Sequence, residues 1–352
     1  MHPRIVFLDD DPVIRIARYV LLNRHDDPWV RDFFAPELAD LSVVRHSARG
    51  ITSADGSTVE LASGPVRNAD IIVYRRGLVD AGVLAANPAL RLIVRLGERA
   101  DGVDIAAAQA AGVNVVCVPR RTLRYTAEHA LLLMMALARR LLPADRAVRE
   151  GRYDAAHVHP IENVSYNWAN LVGSTGLHGS TLGVIGLGEV GTLVARLGHA
   201  FGMHVLYYKR NRVSIGQESA LSIEYAALDD LLAASDFVSL HVDNTPQNAN
   251  LIGAAAFAAM RAQAFFINVS RGRLVDEDAL YDALATGRIA GAGLDTHRIE
   301  PRPAHDRFSK LDNVILTPHF AGGARSGVLS EIDVIFKSIH EALAEVSASN
   351  TP

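Results

Sequence analysis

Short apolar runs alternate with amphipathic stretches along most of this chain. In the first third, Arg4–Leu8, Ile71–Tyr74, Leu92–Leu96 and Val113–Val118 are apolar runs bounded by Gly, Asp or Pro, with helical pattern between them, as at Asp104–Ala111. Runs that are apolar on every residue predict strands covered on both faces, hence a parallel sheet flanked by helices. Glu128–Leu142 is a long, nearly all-apolar stretch that reads as one helix stopped by Pro143. It is too apolar for a surface helix and is expected between domains or subunits. Residues 151–181 are rich in Gly, Asn and His and read as a long loop. Alternation then resumes, with strands predicted at Leu182–Ile185, Val205–Tyr208, Phe237–His241, Phe265–Val269, Gly291–Leu294 and Val314–Thr317, and a final amphipathic helix at about Gly327–Val346. The pattern predicts an α/β protein of two domains.

The second half opens with LGVIGLGEVGTLVARLGHAFGMHVLYYKRNR. Gly186, Gly188 and Gly191 form G-x-G-x-x-G between an apolar strand and a helix, the arrangement of a dinucleotide-binding βαβ unit. The helix N-terminus presents its amides to a pyrophosphate. The second strand ends at Lys209, where an NAD site usually has an acidic residue about 20 residues past the glycines. Lys209, Arg210 and Arg212 stand there instead and point to the 2′-phosphate of NADP, with NAD as second choice.

Three later strand ends carry reactive side chains. Arg271 follows the strand in INVSRGRLVDEDAL, Glu300 lies five residues beyond Asp295 in GAGLDTHRIEP, and His319 follows the strand in NVILTPHFAGG. An Arg, a carboxylate and a His at the carboxyl ends of a parallel sheet suit 2-keto acid reduction. The guanidinium binds the substrate carboxylate and polarises the keto oxygen. The histidine gives a proton as hydride arrives, and the carboxylate orients it.

These motifs occur in the order seen in the D-isomer-specific 2-hydroxyacid dehydrogenases, a family that includes glyoxylate/hydroxypyruvate reductases and phosphoglycerate dehydrogenases, and the chain resembles that family. The likeness also covers RLIVRLGERADGVDIAAAQAAGVNVV and TAEHALLLMMALARR. It implies a Rossmann dinucleotide-binding domain at 126–321 and a flavodoxin-like substrate domain at 1–125 plus 322–352, with the active site in the cleft. It implies catalytic roles for Arg271, Glu300 and His319, and a contact from Asp295 to the nicotinamide carboxamide. Glu189, Val190, Thr245, Val269, Ser270 and Gly322 are expected to touch the cofactor. A homodimer built through the dinucleotide domain and the helix near residue 130 is also implied. Two departures stand out. Asp243 sits where the family often has a proline, and Glu98–Arg99 replaces a small Ala-Gly pair. With Arg75 and Arg76, these charged residues either bind a second anionic group of the substrate or pair with one another.

Composition narrows the setting. The chain has 352 residues, a net charge of −4, 49% hydrophobic and 21% charged residues. That is the profile of a soluble globular protein with no basic excess for nucleic acid. Cys117 is the only cysteine, so no internal disulfide forms. No apolar run approaches the roughly 20 residues of a membrane span, and the first is too short for a signal peptide. The expected protein is cytoplasmic, without membrane or nucleic-acid partners and with a small 2-keto or 2-hydroxy acid as substrate. Asp9, Asp10 and Asp11 read as a turn, and no ligand spacing supports a metal. Two rivals share the fold. A formate-dehydrogenase-like enzyme pairs its His with Gln, against Glu300. A nucleotide-sensing, corepressor-like protein keeps the same trio.

Overall fold

The structure, a computed structural model, describes residues 2–24, 44–153, 166–323 and 325–349. Its contacts divide the chain into two compact units, Met1–Thr122 with Ala324–Pro352, and Leu123–Gly323.

The first unit is a five-stranded parallel sheet of β1 (Arg4–Phe7), β2 (Thr58–Leu61), β3 (Ile71–Tyr74), β4 (Leu92–Leu96) and β5 (Asn114–Val118), in the order β2-β1-β3-β4-β5. This is the flavodoxin-like order. Successive side chains leave a strand on opposite faces. Ile5, Phe7, Ile71, Val73, Leu92 and Val94 therefore meet the helices Pro12–Leu21 and Arg325–Ser349 through Ile14, Ile332 and Phe336. Val6, Ile72, Tyr74 and Ile93 meet Leu84 and Ala108 on the other face. Both faces are covered, which is why the runs are apolar on every residue. β2, TVEL, is an edge strand without a fully buried residue, and its pattern predicts no strand. Asp11 caps the helix Pro12–Leu21 by accepting from the Val13 amide, and Asp9 accepts from the amides of Arg75 and Arg76. The three aspartates thus form the segment between β1 and this helix, with Asp11 at the helix N-cap.

The second unit holds seven parallel strands, β6 (Thr181–Ile185), β7 (His204–Tyr208), β8 (Glu224–Tyr225), β9 (Phe237–Leu240), β10 (Phe265–Asn268), β11 (Gly291–Leu294) and β12 (Val314–Leu316). Their order is β12-β11-β10-β9-β6-β7-β8. The order reverses between β6 and β9, the doubly wound topology whose ligands bind beyond the carboxyl ends of the strands. One face packs on the helices Arg121–Ala138 and Glu189–Ala200 through Leu131, Met134, Val194 and Ala195. The other packs on Leu228–Ala234, Ala254–Ala259 and Glu277–Ala285.

Two expectations are corrected. The sheet has a seventh strand, β8, only two residues long. The stretch 128–142 is not one helix stopped by Pro143. The helix Arg121–Ala138 ends before it, Arg140 turns into the left-handed region at φ 50°, and a second helix, Leu141–Arg149, carries Pro143 in its first turn. Proline is tolerated there because first-turn amides have no intrahelical acceptor. Of the predicted loop 151–181, residues 154–165 lie outside the described residues. Among the described residues no helix is long and apolar enough to cross a membrane.

Candidate active site

The glycine turn follows β6. Gly186 has φ +95°, a conformation costly for a residue with a side chain, and a Cβ there would lie 2.5 Å from the His241 carbonyl oxygen. A Cβ on Gly191 would lie 2.0 Å from the Gly186 oxygen, so the helix meets the turn only through a glycine. Gly188 is different. It is the N-cap of the helix Glu189–Ala200, no side chain caps that helix, and a Cβ at Gly188 would meet nothing within 4 Å. The turn is thus a cradle open above a helix N-terminus, and it fits a dinucleotide pyrophosphate. Val190 packs into the core and Glu189 begins the helix.

β7 ends in the basic run. Lys209 is half-buried and Arg210 exposed, and neither makes a hydrogen bond or ion pair among the described residues. Arg212 is already engaged. Its Nε and Nη2 donate to Glu218 at 2.7 and 2.8 Å, and its guanidinium lies 5.2 Å from the centre of the Tyr225 ring. The buried Tyr207 hydroxyl also donates to Glu218 at 2.6 Å. Hydrogen bonds from Arg212 and Tyr207 hold the Glu218 carboxyl down at about 2. Glu218 therefore fastens the turn that presents Lys209 and Arg210.

Beyond β9 and β10, Thr245 caps a short 3-10 turn, Val269 is buried, and Ser270 donates to the Leu240 carbonyl. Arg271 is exposed and its Nη1 donates to the Ser270 carbonyl at 2.6 Å. The next residue must be glycine, since a Cβ on Gly272 would sit 2.0 Å from the His297 carbonyl carbon. That contact brings the Arg271 turn against the loop carrying Glu300.

The Glu300 carboxylate has two partners. Oε1 accepts from the His297 amide at 2.8 Å, and Oε2 lies 2.7 Å from Nδ1 of His319. Burial pushes its pKa up, but the His297 amide and His319 outweigh that and hold it below the ordinary value. His319 sits at φ 52°. A left-handed residue with a side chain costs on the order of 1–2 kcal/mol. The surrounding loop supplies more than that. Asp295 is fully buried and accepts from the Thr317 hydroxyl at 2.6 Å, the Phe320 amide at 3.1 Å and the Ala321 amide at 3.0 Å. Hydrogen bonds to a charged group are each worth roughly 1.5–3 kcal/mol, so three of them hold the strained turn. Asp295, assigned by resemblance to a cofactor contact, here has its carboxylate committed to the loop before Gly322. His129 completes the cluster, with Nε2 3.1 Å from the Thr317 hydroxyl and its ring edge-on to Phe320. Burial lowers its pKa, against Asp295 which raises it.

The chain thus joins Glu300 to His319, anchors the His319 loop on Asp295, and packs the turn after Arg271 against the loop of Glu300. Arg75, Arg76, Glu98 and Arg99 belong to the other unit, at the carboxyl ends of β3 and β4. Arg75 is paired with Asp11, and Arg99 lies 3.3 Å from Asp101. His129, Gly272 and His297 were not among the expected site residues. The signal for His129 was a polar residue immediately before the apolar run Ala130–Ala138.

An open glycine turn beside an Arg–Glu–His cluster at the carboxyl ends of a doubly wound sheet defines a nicotinamide-dependent oxidoreductase. The family model "D-isomer specific 2-hydroxyacid dehydrogenase, NAD binding domain" matches residues 131–321. A glyoxylate reductase of Korarchaeum cryptofilum is 41% identical over 246 residues, covering 70% of this chain and 71% of that protein. A D-3-phosphoglycerate dehydrogenase of Mycobacterium bovis is 38% identical over 291 residues, 82% of this chain and 52% of that protein, so this chain spans about half its length. The solved pyruvate reductase of Chlamydomonas reinhardtii is 26% identical and covers 97% of each chain with a TM-score of 0.54. The chain belongs to the D-isomer specific 2-hydroxyacid dehydrogenase family.

Proposed function

We infer that the protein reduces a 2-keto acid to a D-2-hydroxy acid with NADPH. The observation that carries this reading is the Glu300–His319 pair, 2.7 Å apart, beside the turn of Arg271. Arg271 binds the substrate carboxylate and polarises the keto group. Nδ1 of His319 is taken by Glu300, which leaves Nε2 to give its proton to the keto oxygen. The Glu300 carboxylate fixes the ring and balances its charge. A reduced nicotinamide, when bound, supplies the hydride that goes to the keto carbon. Gly186, Gly188, Gly191, Val190 and the amides at the start of the helix Glu189–Ala200 would hold the pyrophosphate.

Lys209 and Arg210, at the end of β7 where no acid stands, support NADP over NAD. A preference for NADPH in kcat/KM tests this part, and equal or better use of NADH would contradict it. We further infer a homodimer formed through the dinucleotide-binding unit. Leu132, Leu141 and Leu142 support it, since all three are about half exposed on neighbouring helices. Sedimentation at micromolar concentration reads the mass directly, and a monomer would refute this assembly.

A further inference from the structure

His297 stands on the loop between β11 and β12 and is only 8% exposed. Its Nε2 lies 2.8 Å from the Thr317 carbonyl oxygen. A carbonyl can only accept, so Nε2 carries the hydrogen and Nδ1 is left as an acceptor. Nδ1 is met at 2.9 Å by Nη1 of Arg302, which can only donate. Two partners on opposite sides therefore select one tautomer and one ring orientation.

Arg302 is itself held. It pairs with Glu277 at 3.3 Å and Asp306 at 3.1 Å, and its guanidinium lies 4.5 Å from the centre of the Phe308 ring. Glu277 also accepts from the Arg298 amide at 2.9 Å. The chain around His297 is thus fixed from the start of the helix Glu277–Ala285. From that fixed point, His297 reaches both members of the pair. Its backbone amide donates to Glu300, and its ring holds the carbonyl two residues before His319.

We propose that His297 and Arg302 form a lock that sets the separation and orientation of Glu300 and His319. The proposal rests on the reductase reading above. His297 is a positioning residue, because it acts through Glu300 and the Thr317 carbonyl and not on reacting atoms. Packing alone does not account for it. A phenylalanine would fill the same space while removing one of the two donors to the Thr317 carbonyl, the other being the His319 amide at 3.0 Å, and leaving an Arg302 donor without its acceptor. Glutamine has a donor for Thr317 and an acceptor for Arg302.

The test compares His297→Phe and His297→Gln in the full-length protein. Small misplacements of reacting groups are costly, so the Phe variant should lose roughly tenfold to a hundredfold in kcat. KM for the keto acid and NADPH affinity should stay near wild type, and the Gln variant should recover most of kcat. A Phe variant with wild-type kcat overturns the lock. So do equal losses of kcat, NADPH affinity and melting temperature in both variants, which would mark a packing role only. A second arm needs no turnover. In coenzyme-free protein the residue 297 and 319 amides should exchange their hydrogens about tenfold faster in the Phe variant and return to wild-type rates in the Gln variant. Unchanged exchange overturns the lock. If the wild type turns over no 2-keto acid, the reductase reading fails and this second arm decides the lock alone.

Discussion

Nδ1 of His319 lies 2.7 Å from Oε2 of Glu300, although the two residues are carried by different loops, after β12 and β11. Neither loop is regular. Each is held by its own hydrogen bonds, the first by Asp295 and the second by the His297 amide and Glu277. The meeting of an acid and a base at hydrogen-bond distance is therefore a product of buried scaffolding.

Glu300→Gln keeps the shape and removes the charge. With imidazolium stabilisation lost, kcat should fall roughly tenfold or more while NADPH affinity holds. The pH dependence of stability follows from the sign of the shift. The pKa of Glu300 is depressed in the folded protein, so its contribution is complete above the ordinary carboxylate range and is lost as pH falls through the lower folded value. The melting-temperature gap between wild type and Glu300→Gln should be widest near neutrality and narrow only in acid. A gap that widens towards acid would refute the assignment.

Lys209→Asp removes a cation and introduces a ribose acceptor at the end of β7. The ratio of kcat/KM for NADPH over NADH should fall about tenfold or more. Arg212→Ala should move that ratio less, because Arg212 is bound to Glu218, and should instead loosen the turn. An unchanged ratio in Lys209→Asp would make the basic run a solvated turn.

Asp295→Asn places an amide where the Phe320 and Ala321 amides both need an acceptor. A donor facing a buried donor costs about 1–3 kcal/mol. Thermal unfolding should show that loss, and kcat should drop with it because the same loop sets the φ of His319. Wild-type stability would mean that the carboxylate is not the anchor of the loop.

Much of this was legible before the structure, for physical reasons that differ by element. The strands were readable because sheets covered on both faces leave apolar runs on every residue. β2 and β8 escaped because TVEL and EY hold too few apolar residues to form such a run, unlike the edge strands β5 and β12. The break at Arg140 was hidden by Pro143, which reads as a helix stop but lies in the first turn of the next helix. The glycine turn and the strand ends bearing Arg271, Glu300 and His319 stood in recognisable spacing. Their supports did not. Thr317, His129, His297 and Glu218 act through contacts between segments distant in sequence, and Gly272 is required only because the His297 backbone passes it. Composition and periodicity carry no trace of such contacts.

The central claim is that His319 protonates a keto oxygen while Arg271 holds the substrate carboxylate. It is tested most directly by following NADPH oxidation with glyoxylate, hydroxypyruvate, pyruvate and bulkier 2-keto acids, for wild type and His319→Ala side by side. The account predicts turnover of at least one of these acids by the wild type. It predicts a loss of roughly 10²–10⁴-fold in kcat for His319→Ala with NADPH binding intact. Wild-type rates in His319→Ala, or tight NADPH binding with no turnover of any acid by the wild type, would contradict it.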